Sequence, residues 1–335
     1  MRAGAWLAFS APIGLGALVA ACSRSELFLP PPEHDATAPD VAADVPEEPD
    51  VFEEPDAALE ADADAAEEDA PPMIEETVDI CPDAGSTLIY LITSQHVLVS
   101  FYPPTATFTT IGTIQCPDPT GTDPFSMAVN RAGIAYVVFA SGHLYRVSTR
   151  TAVCVPTTFV PGQSFPLTFG MGFSANVSAD GGGDAGETLY IATDPMPTPG
   201  MPGPSSLGTI DTASYTGTTV APFSPVIIQP ELTGTGTGKL YGFWAPNLAS
   251  DTAIVEIDKD TAAVTTLTTL PGIFLGNGWA FAFWGGDFYT FTAPGGLGSS
   301  STVTRYRPSD GSIVHVATAP GTIVGAGVST CAPQM

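Results

Sequence analysis

The part of the chain after residue 86 consists of short apolar runs separated by turn residues, and one run recurs five times. Each copy carries an aromatic residue at the same place within a strand-forming segment. These residues are Tyr90, Tyr136, Tyr190, Tyr241 and Tyr289, at intervals of 46, 54, 51 and 48 residues. Short β-branched and aromatic runs bounded by Gly, Pro, Asn and Asp predict β-strands. Self-similarity at this period predicts a repeat architecture.

A second motif follows each tyrosine and predicts a β-hairpin. In every copy the end of one strand leads through a polar turn into the start of the next strand. The five copies align without gaps and read FYPPTATFTTI, VSTRTAVCVPT, IDTASYTGTTV, IDKDTAAVTTL and YRPSDGSIVHV. The order of the two motifs never changes, so each repeat supplies three consecutive strands, which we name b, c and d.

A third run, rich in small residues, precedes four of the five tyrosines and predicts a further strand, a. Its copies read FSMAVNR, FGMGFSA, LTGTGTG and WAFAFWG. Gly and Ala suit a position where several strands crowd around one axis. No such run precedes Tyr90, but the C-terminal segment VGAGVST, residues 324–330, has the same pattern.

The two ends of the repeat region therefore complete one another. The pattern predicts an all-β fold in which five four-stranded sheets form a ring, with residues 324–330 as the innermost strand of the first sheet. A β-sandwich is the alternative, because short strands at regular spacing also suit that fold. The chain resembles five-bladed β-propellers in architecture, and it has neither the WD40 signature nor the glycine pair of kelch repeats. We assign the propeller to residues 81–335.

The N-terminus has the pattern of a secretory signal. Arg2 is followed by an apolar run that ends at Ala21 and is too short and too interrupted for a membrane span. The segment LVAAC, which ends at Cys22, resembles the lipobox of bacterial lipoproteins. That resemblance implies a signal peptide over residues 1–21 and lipidation of Cys22. The alternative is an ordinary export signal with a chance cysteine.

Residues 22–80 are dominated by Pro, Ala, Asp and Glu, with almost no large apolar side chains. Such a composition cannot bury enough surface to offset the entropy of ordering, so it predicts a disordered tether. The tether carries most of the formal net charge of −26. An acidic balance of this size argues against nucleic-acid binding and against docking on anionic lipid head groups.

The five cysteines support export. If Cys22 carries lipid, then Cys81, Cys116, Cys154 and Cys331 remain, and disulfides persist in an exported chain. No C-x-x-C spacing occurs, which argues against zinc. In the propeller register Cys81 and Cys331 flank the junction between the two chain ends, so we predict that they pair. Cys116 and Cys154 are then left to pair with each other, or remain free thiols.

The long insertions fall in loops that meet on one face of the predicted ring. That face should gather a set of aromatic, amide and carboxylate side chains that could orient a glycan or peptide. The set is Asp194, Glu231, Trp244, Asn277 and Trp279. The alternative for the two tryptophans is that they fill gaps between sheets. The a strands contain almost no carboxylates apart from Glu231 and no G-x-S-x-G motif occurs, so we predict no catalytic residues.

One glycine-rich loop, SADGGGDAGE, in the connection between strands a and b of the third repeat, is a candidate calcium site. It offers Asp180, Asp184 and Glu187, and oxygen ligands suit a hard cation. An acidic solvent-exposed turn is the alternative, since the spacing departs from the EF-hand pattern. No other cofactor is expected.

The sequence thus favours a lipid-anchored, monomeric binding or scaffolding module of the cell envelope, with an envelope protein or a glycan as ligand. A carbohydrate-active enzyme and a purely structural lipoprotein are the alternatives. The chain resembles uncharacterised secreted lipoproteins of Gram-negative bacteria, and this resemblance implies no activity. Ser23, rather than the Asp that signals inner-membrane retention in some bacteria, favours the outer membrane, on its periplasmic or surface side.

Overall fold

The protein is described by a computed structural model that covers residue 74 and residues 88–162, 165–177, 184–193, 205–295 and 298–335. The predicted signal peptide (residues 1–21) and the predicted tether (residues 22–80), apart from residue 74, lie outside the described residues. Among the described residues, no helix has the length and apolar character that a bilayer crossing requires.

In the described part of the chain, twenty strands form five antiparallel four-stranded sheets, the blades of a five-bladed β-propeller. In each blade the strands are given from the axis outward. Blade 1 consists of β20 (Ile323–Val328), β1 (Ile89–Thr93), β2 (Val97–Tyr102) and β3 (Thr107–Thr113). Blade 2 consists of β4 (Pro124–Val129), β5 (Ile134–Phe139), β6 (Leu144–Ser148) and β7 (Cys154–Pro156). Blade 3 consists of β8 (Phe169–Val177), β9 (Asp184–Thr193), β10 (Ser206–Ile210) and β11 (Gly217–Pro222). Blade 4 consists of β12 (Glu231–Gly234), β13 (Leu240–Trp244), β14 (Thr252–Ile257) and β15 (Val264–Leu270). Blade 5 consists of β16 (Trp279–Trp284), β17 (Asp287–Thr292), β18 (Thr302–Arg307) and β19 (Ser312–Thr318).

The innermost strands β20, β4, β8, β12 and β16 contact one another in sequence and return to the first, which closes the ring. The expected all-β propeller is therefore confirmed, and so is its closure. The C-terminal strand β20 pairs antiparallel with β1 at the other end of the repeat region. The hairpin motifs are confirmed as the c–d turns of all five blades.

The hydrophobic core lies between neighbouring blades rather than at the centre of the ring. Five buried clusters each combine side chains from two adjacent blades. The repeated tyrosines help to join them, because each packs against the following blade. Tyr90 of blade 1, for example, lies in a cluster with Met127 and Val147 of blade 2. Burying large aromatic side chains at these seams stabilises the ring by about 2 kcal/mol or more per residue.

Small residues allow the innermost strands to approach closely around the axis. A Cβ added at Gly327 in β20 would lie 2.7 Å from the backbone nitrogen of Val129 in β4, and one added at Gly170 would lie 2.1 Å from the carbonyl oxygen of Pro230. Contacts below 3.0 Å are not compatible with a side chain, so these positions require glycine. This explains the Gly and Ala pattern of strand a.

A disulfide joins Cys116 to Cys154, with their Cα atoms 5.1 Å apart, as predicted. Cys116 follows the outer strand β3 of blade 1, and Cys154 begins the outer strand β7 of blade 2. The bond therefore links the rims of two blades. Cys331 is also disulfide-bonded. Cys22 and Cys81 lie outside the described residues, so its pairing with Cys81 stays a prediction.

The inner hairpin of blade 3 differs from the sequence expectation. We expected Asp184 and Glu187 in the connection between strands a and b, but both lie in β9. The reason is that β8 continues to Val177, which pairs with Asp184 and extends the hairpin by several residues beyond the other blades.

Candidate functional site

The loops that join b to c and d to the next a meet on one face of the propeller, which we call the top face. At its centre a cavity of about 90 Å³ opens at the mouth of the axial channel. Four innermost strands supply residues at or next to their first positions. The described residues that line the cavity are Pro124, Phe125, Glu231, Asn277, Gly278, Trp279 and Val324.

Three of the five residues proposed as a ligand site from the sequence therefore lie together. Glu231 begins β12, while Asn277 and Trp279 flank the start of β16. Trp244 ends β13 and is not among the residues lining the cavity. Asp194 lies outside the described residues.

Glu231 is the ionisable group of the described lining, and it is only 4% exposed. The Ser126 hydroxyl donates a hydrogen bond to its Oε2 atom over 2.8 Å. The same hydroxyl accepts a hydrogen bond from the backbone N–H of Met171 over 3.2 Å, which orients its proton toward the carboxyl. Among the described residues, Ser126 is the hydrogen-bond partner of this side chain. The Oε1 atom is thus left for another partner.

Burial raises the pKa of Glu231 well above its usual value, and the hydrogen bond from Ser126 opposes this effect. The strands packed against β12 bring no cation to the carboxyl. β8, β16 and β20 contain no titratable residue, β13 contains Tyr241, and β9 contains acids and a tyrosine. Glu231 is therefore a buried carboxyl group at the base of an open cavity, and burial favours its protonated form.

The two tryptophans have different surroundings. Trp244 is partly buried against the cluster between blades 3 and 4. Trp279 packs in the same way against the cluster between blades 4 and 5, and it also forms part of the cavity wall. The indole Nε1 atoms of both are buried without a hydrogen-bond partner among the described residues. Trp244 therefore fills a gap between blades. Trp279 also packs between blades, but it lines the cavity as well.

The channel closes below the cavity. Its next layer is lined by backbone and small or apolar side chains, with no space for a water molecule between them. These residues include Ala128, Gly172, Leu232, Thr233, Ala326 and Gly327. A ligand that enters from the top face therefore stops at the level of Glu231.

The opposite, bottom face carries a polar network that includes Glu187. Its Oε1 atom accepts a hydrogen bond from the backbone N–H of Arg131 over 2.6 Å, and its Oε2 atom accepts one from the hydroxyl of Thr330 over 2.8 Å. The Arg131 guanidinium lies 3.8 Å from the same carboxylate. The network ties the end of β20 to blades 2 and 3.

This network bears on the calcium hypothesis, because it shows that Glu187 already has protein partners. Asp180 and the side chain of Asp184 lie outside the described residues, so the site as a whole stays a prediction. Within the described ranges, His, Cys, Asp and Glu side chains form no group of three that could hold a metal ion.

Exposed apolar side chains are frequent in the loops of the top face. They are Val160, Leu167, Val226, Ile228, Leu248 and Phe274, with exposed fractions of 37–58%. Each belongs to a connection of blade 2, 3 or 4 that ends on this face. Exposed apolar groups around a pocket are typical of interaction surfaces.

Sequence reasoning missed Phe125 and Val324 of the cavity lining, and it missed Ser126, which donates a hydrogen bond to Glu231. Each lies at the start of an innermost strand, as Glu231 and Trp279 do. The signal was present in the repeat alignment. The starts of strand a in blades 1, 2, 4 and 5 lie together at the mouth of the channel, so these positions form one set.

The fold defines the protein as a five-bladed β-propeller. No protein-family model matches the chain, and no curated protein matches it. Among solved structures it is similar to a chain of the "Crystal structure of Nidogen/Laminin Complex", with a TM-score of 0.42 and 12% sequence identity, covering 72% of this chain and 97% of that chain. The fold assignment rests on the strand pairing of the protein itself.

Proposed function

We propose that the protein is an exported, lipid-anchored binding module of the cell envelope that takes its ligand at the centre of the top face. The observation that carries this proposal is the cavity walled by Phe125 and Trp279, with Glu231 at its base and Asn277 at its rim. Binding sites are typically concave, mostly apolar and supplied with a few fixed polar groups. The apolar side chains in the surrounding loops extend the surface that a ligand can contact.

We propose a role in binding rather than catalysis. Glycoside hydrolysis requires two carboxyl groups about 5 to 10 Å apart. Among the described residues that line the cavity, Glu231 is the single carboxyl group. Incubation with envelope glycans, followed by mass spectrometry of the products, tests this part. Release of a cleaved product that Glu231→Gln abolishes would establish the enzyme instead.

The test of the binding site is a screen of envelope glycans and envelope proteins with matched variants. Asn277→Ala and Trp279→Phe alter the cavity, whereas Trp244→Phe makes the same aromatic change at a site away from it. We expect both cavity variants to weaken binding of any captured ligand by at least about fivefold and the Trp244 variant to bind normally. Equal loss in Trp244→Phe and Trp279→Phe would point to a packing effect, and no loss in either cavity variant would move the site elsewhere.

The membrane part of the proposal concerns Cys22, whose lipidation would anchor the chain while residues 23–80 act as a spacer. The Cys116–Cys154 disulfide supports an oxidising location, extracellular or periplasmic. Growth with an alkyne-bearing fatty acid should label the chain, and Cys22→Ser should remove the label, whereas Cys331→Ser should keep it. Membrane fractionation then tests the outer membrane against the inner. Labelling that survives Cys22→Ser would refute the anchor.

A further inference from the structure

We propose that the top-face cavity recognises an alkylammonium group, such as a lysine side chain of a partner or a free small amine, and that this group binds the Glu231 carboxylate. This inference rests on the proposed binding function of the same cavity and names its ligand chemistry. It follows from the geometry of the cavity and from its charge.

The base of the cavity offers a hydrogen-bond acceptor. Ser126 fixes one carboxyl oxygen of Glu231, and its own orientation is fixed by the Met171 N–H. The Oε1 atom has no hydrogen-bond partner among the described residues. A carboxyl group that is 4% exposed and lines an open cavity is therefore positioned to bind whatever enters.

The charge of the surroundings favours a cation over an anion. The described lining contains no Lys, Arg or His. From residue 84 onward the chain has 14 acidic and seven basic residues, so the domain is acidic as a whole. An anion at the base would face a buried carboxyl group with no compensating charge, whereas a cation would compensate it.

The walls suit the same ligand. Phe125 and Trp279 are aromatic and partly buried on opposite sides of the ring, in blades 2 and 5. Aromatic faces attract cations through their quadrupole, and they also accommodate the methylene groups of an alkyl chain. The side-chain amide of Asn277 at the exposed rim adds an oxygen that can accept a further N–H. A narrow cavity of about 90 Å³ selects a slender head group rather than a sugar ring.

Binding in this way moves one proton. Burial raises the pKa of the Glu231 carboxyl in the free protein, so its protonated form is favoured there. When the ammonium group enters a protonated site, the carboxyl gives its proton to the buffer and the resulting carboxylate pairs with the ammonium, so at pH values below that pKa one proton is released per ligand bound. Affinity should therefore rise about tenfold per pH unit until the carboxyl is ionised in the free protein. An aliphatic amine stays charged up to a pH of about 10, so it does not obscure this rise.

The experiment is calorimetric titration of the full chain with n-butylammonium, with n-butanol as its neutral isostere, at several pH values and in buffers of different ionisation enthalpy. We expect butylammonium to bind with proton release and rising affinity at pH values below the pKa of the free carboxyl, and n-butanol to bind at least about tenfold more weakly. Glu231→Gln, which keeps the shape and the bond from Ser126, should lower butylammonium affinity at least about tenfold and abolish proton release. Trp244→Phe should leave both unchanged.

Equal binding of butylammonium and n-butanol, or butylammonium binding that Glu231→Gln leaves unchanged, would overturn the ammonium inference and leave the cavity as a site for neutral ligands. Absence of butylammonium binding would also overturn it. The binding function itself would fail only if the envelope screen, with its own cavity variants, also fails. A captured protein that is lost after lysine acetylation, but not competed by small amines, would identify the lysine side chain as the source.

Discussion

Tyr90 of β1 lies directly opposite Gly327 of β20, so the first strand of the repeat region pairs with the last. The innermost strand of blade 1 is therefore supplied by the C-terminal end of the chain. The same face-to-face placement occurs in every blade, where the repeated tyrosine of strand b faces a small residue or Thr233 in strand a. The pairing of β20 with β1, which closes the ring, therefore has the same a–b register as the other four blades.

The close approach at Gly327 predicts a large effect of a single methyl group. In Gly327→Ala the new Cβ would meet the Val129 backbone at 2.7 Å, and backbone of a neighbouring strand cannot move aside. We expect a loss of about 1 to 3 kcal/mol in the free energy of unfolding, measured by urea denaturation. Gly112→Ala lies in the outer strand β3, where the new Cβ has the Ala152 side chain at 3.1 Å and the Thr151 carbonyl oxygen at 3.8 Å, and it should cost less than about 1 kcal/mol. Equal losses of stability in the two variants would contradict the close packing of the innermost strands around the axis.

The disulfide between Cys116 and Cys154 spans 38 residues and links two blade rims. Removal of this bond raises the conformational entropy of the unfolded chain. Cys116→Ser should therefore lower the free energy of unfolding by about 2 to 4 kcal/mol. Cys154→Ser and the double variant should lose the same amount, because all three remove one bond. A double variant that loses the sum of the single losses would show that the two cysteines act independently. Peptide mapping without reduction would meanwhile reveal the partner of Cys331.

The raised pKa of Glu231 predicts that the wild type and Glu231→Gln differ in stability by an amount that depends on pH. Its folded-state pKa is raised by burial, so its contribution to stability is fully present below the usual carboxyl pKa. That contribution is lost as pH rises from the usual value toward the raised one, at about 1.4 kcal/mol per pH unit. Glu231→Gln cannot ionise and loses nothing. The variant should therefore match the wild type near pH 4 and exceed it at pH 8 in urea unfolding. A difference that does not change with pH would show that Glu231 titrates normally.

The repeat pattern was enough to predict most of the fold because every blade must meet the same packing requirements. Strand a must be small to reach the axis, and strand b must carry an aromatic residue into the next seam, as Gly327 and Tyr90 show. These demands are local and periodic, so they are visible in the sequence. The length of the β8–β9 hairpin is set by pairing between Val177 and Asp184 that no periodic pattern reveals.

The cavity was only partly predictable for a related reason. Glu231 and Trp279 stand out as unusual residues in otherwise small and apolar strands. Ser126 does not, because its role depends on a hydrogen bond to Glu231 across 105 residues of sequence. Trp244 has the same residue type as Trp279, but its place at the end of strand b directs it to an inter-blade seam. Distinguishing them requires the position of each residue along its strand.

Closure of the ring by the C-terminal strand is tested most directly by complementation. A chain that ends at residue 320 lacks β20, and a synthetic peptide of residues 321–335 supplies it. We expect the truncated chain to lose its cooperative thermal transition and the peptide to restore it, whereas a peptide with Gly325→Val and Gly327→Val should not, because neither side chain fits beside β4. A truncated chain that melts cooperatively at the temperature of the full chain, with no effect of the peptide, would contradict the closure.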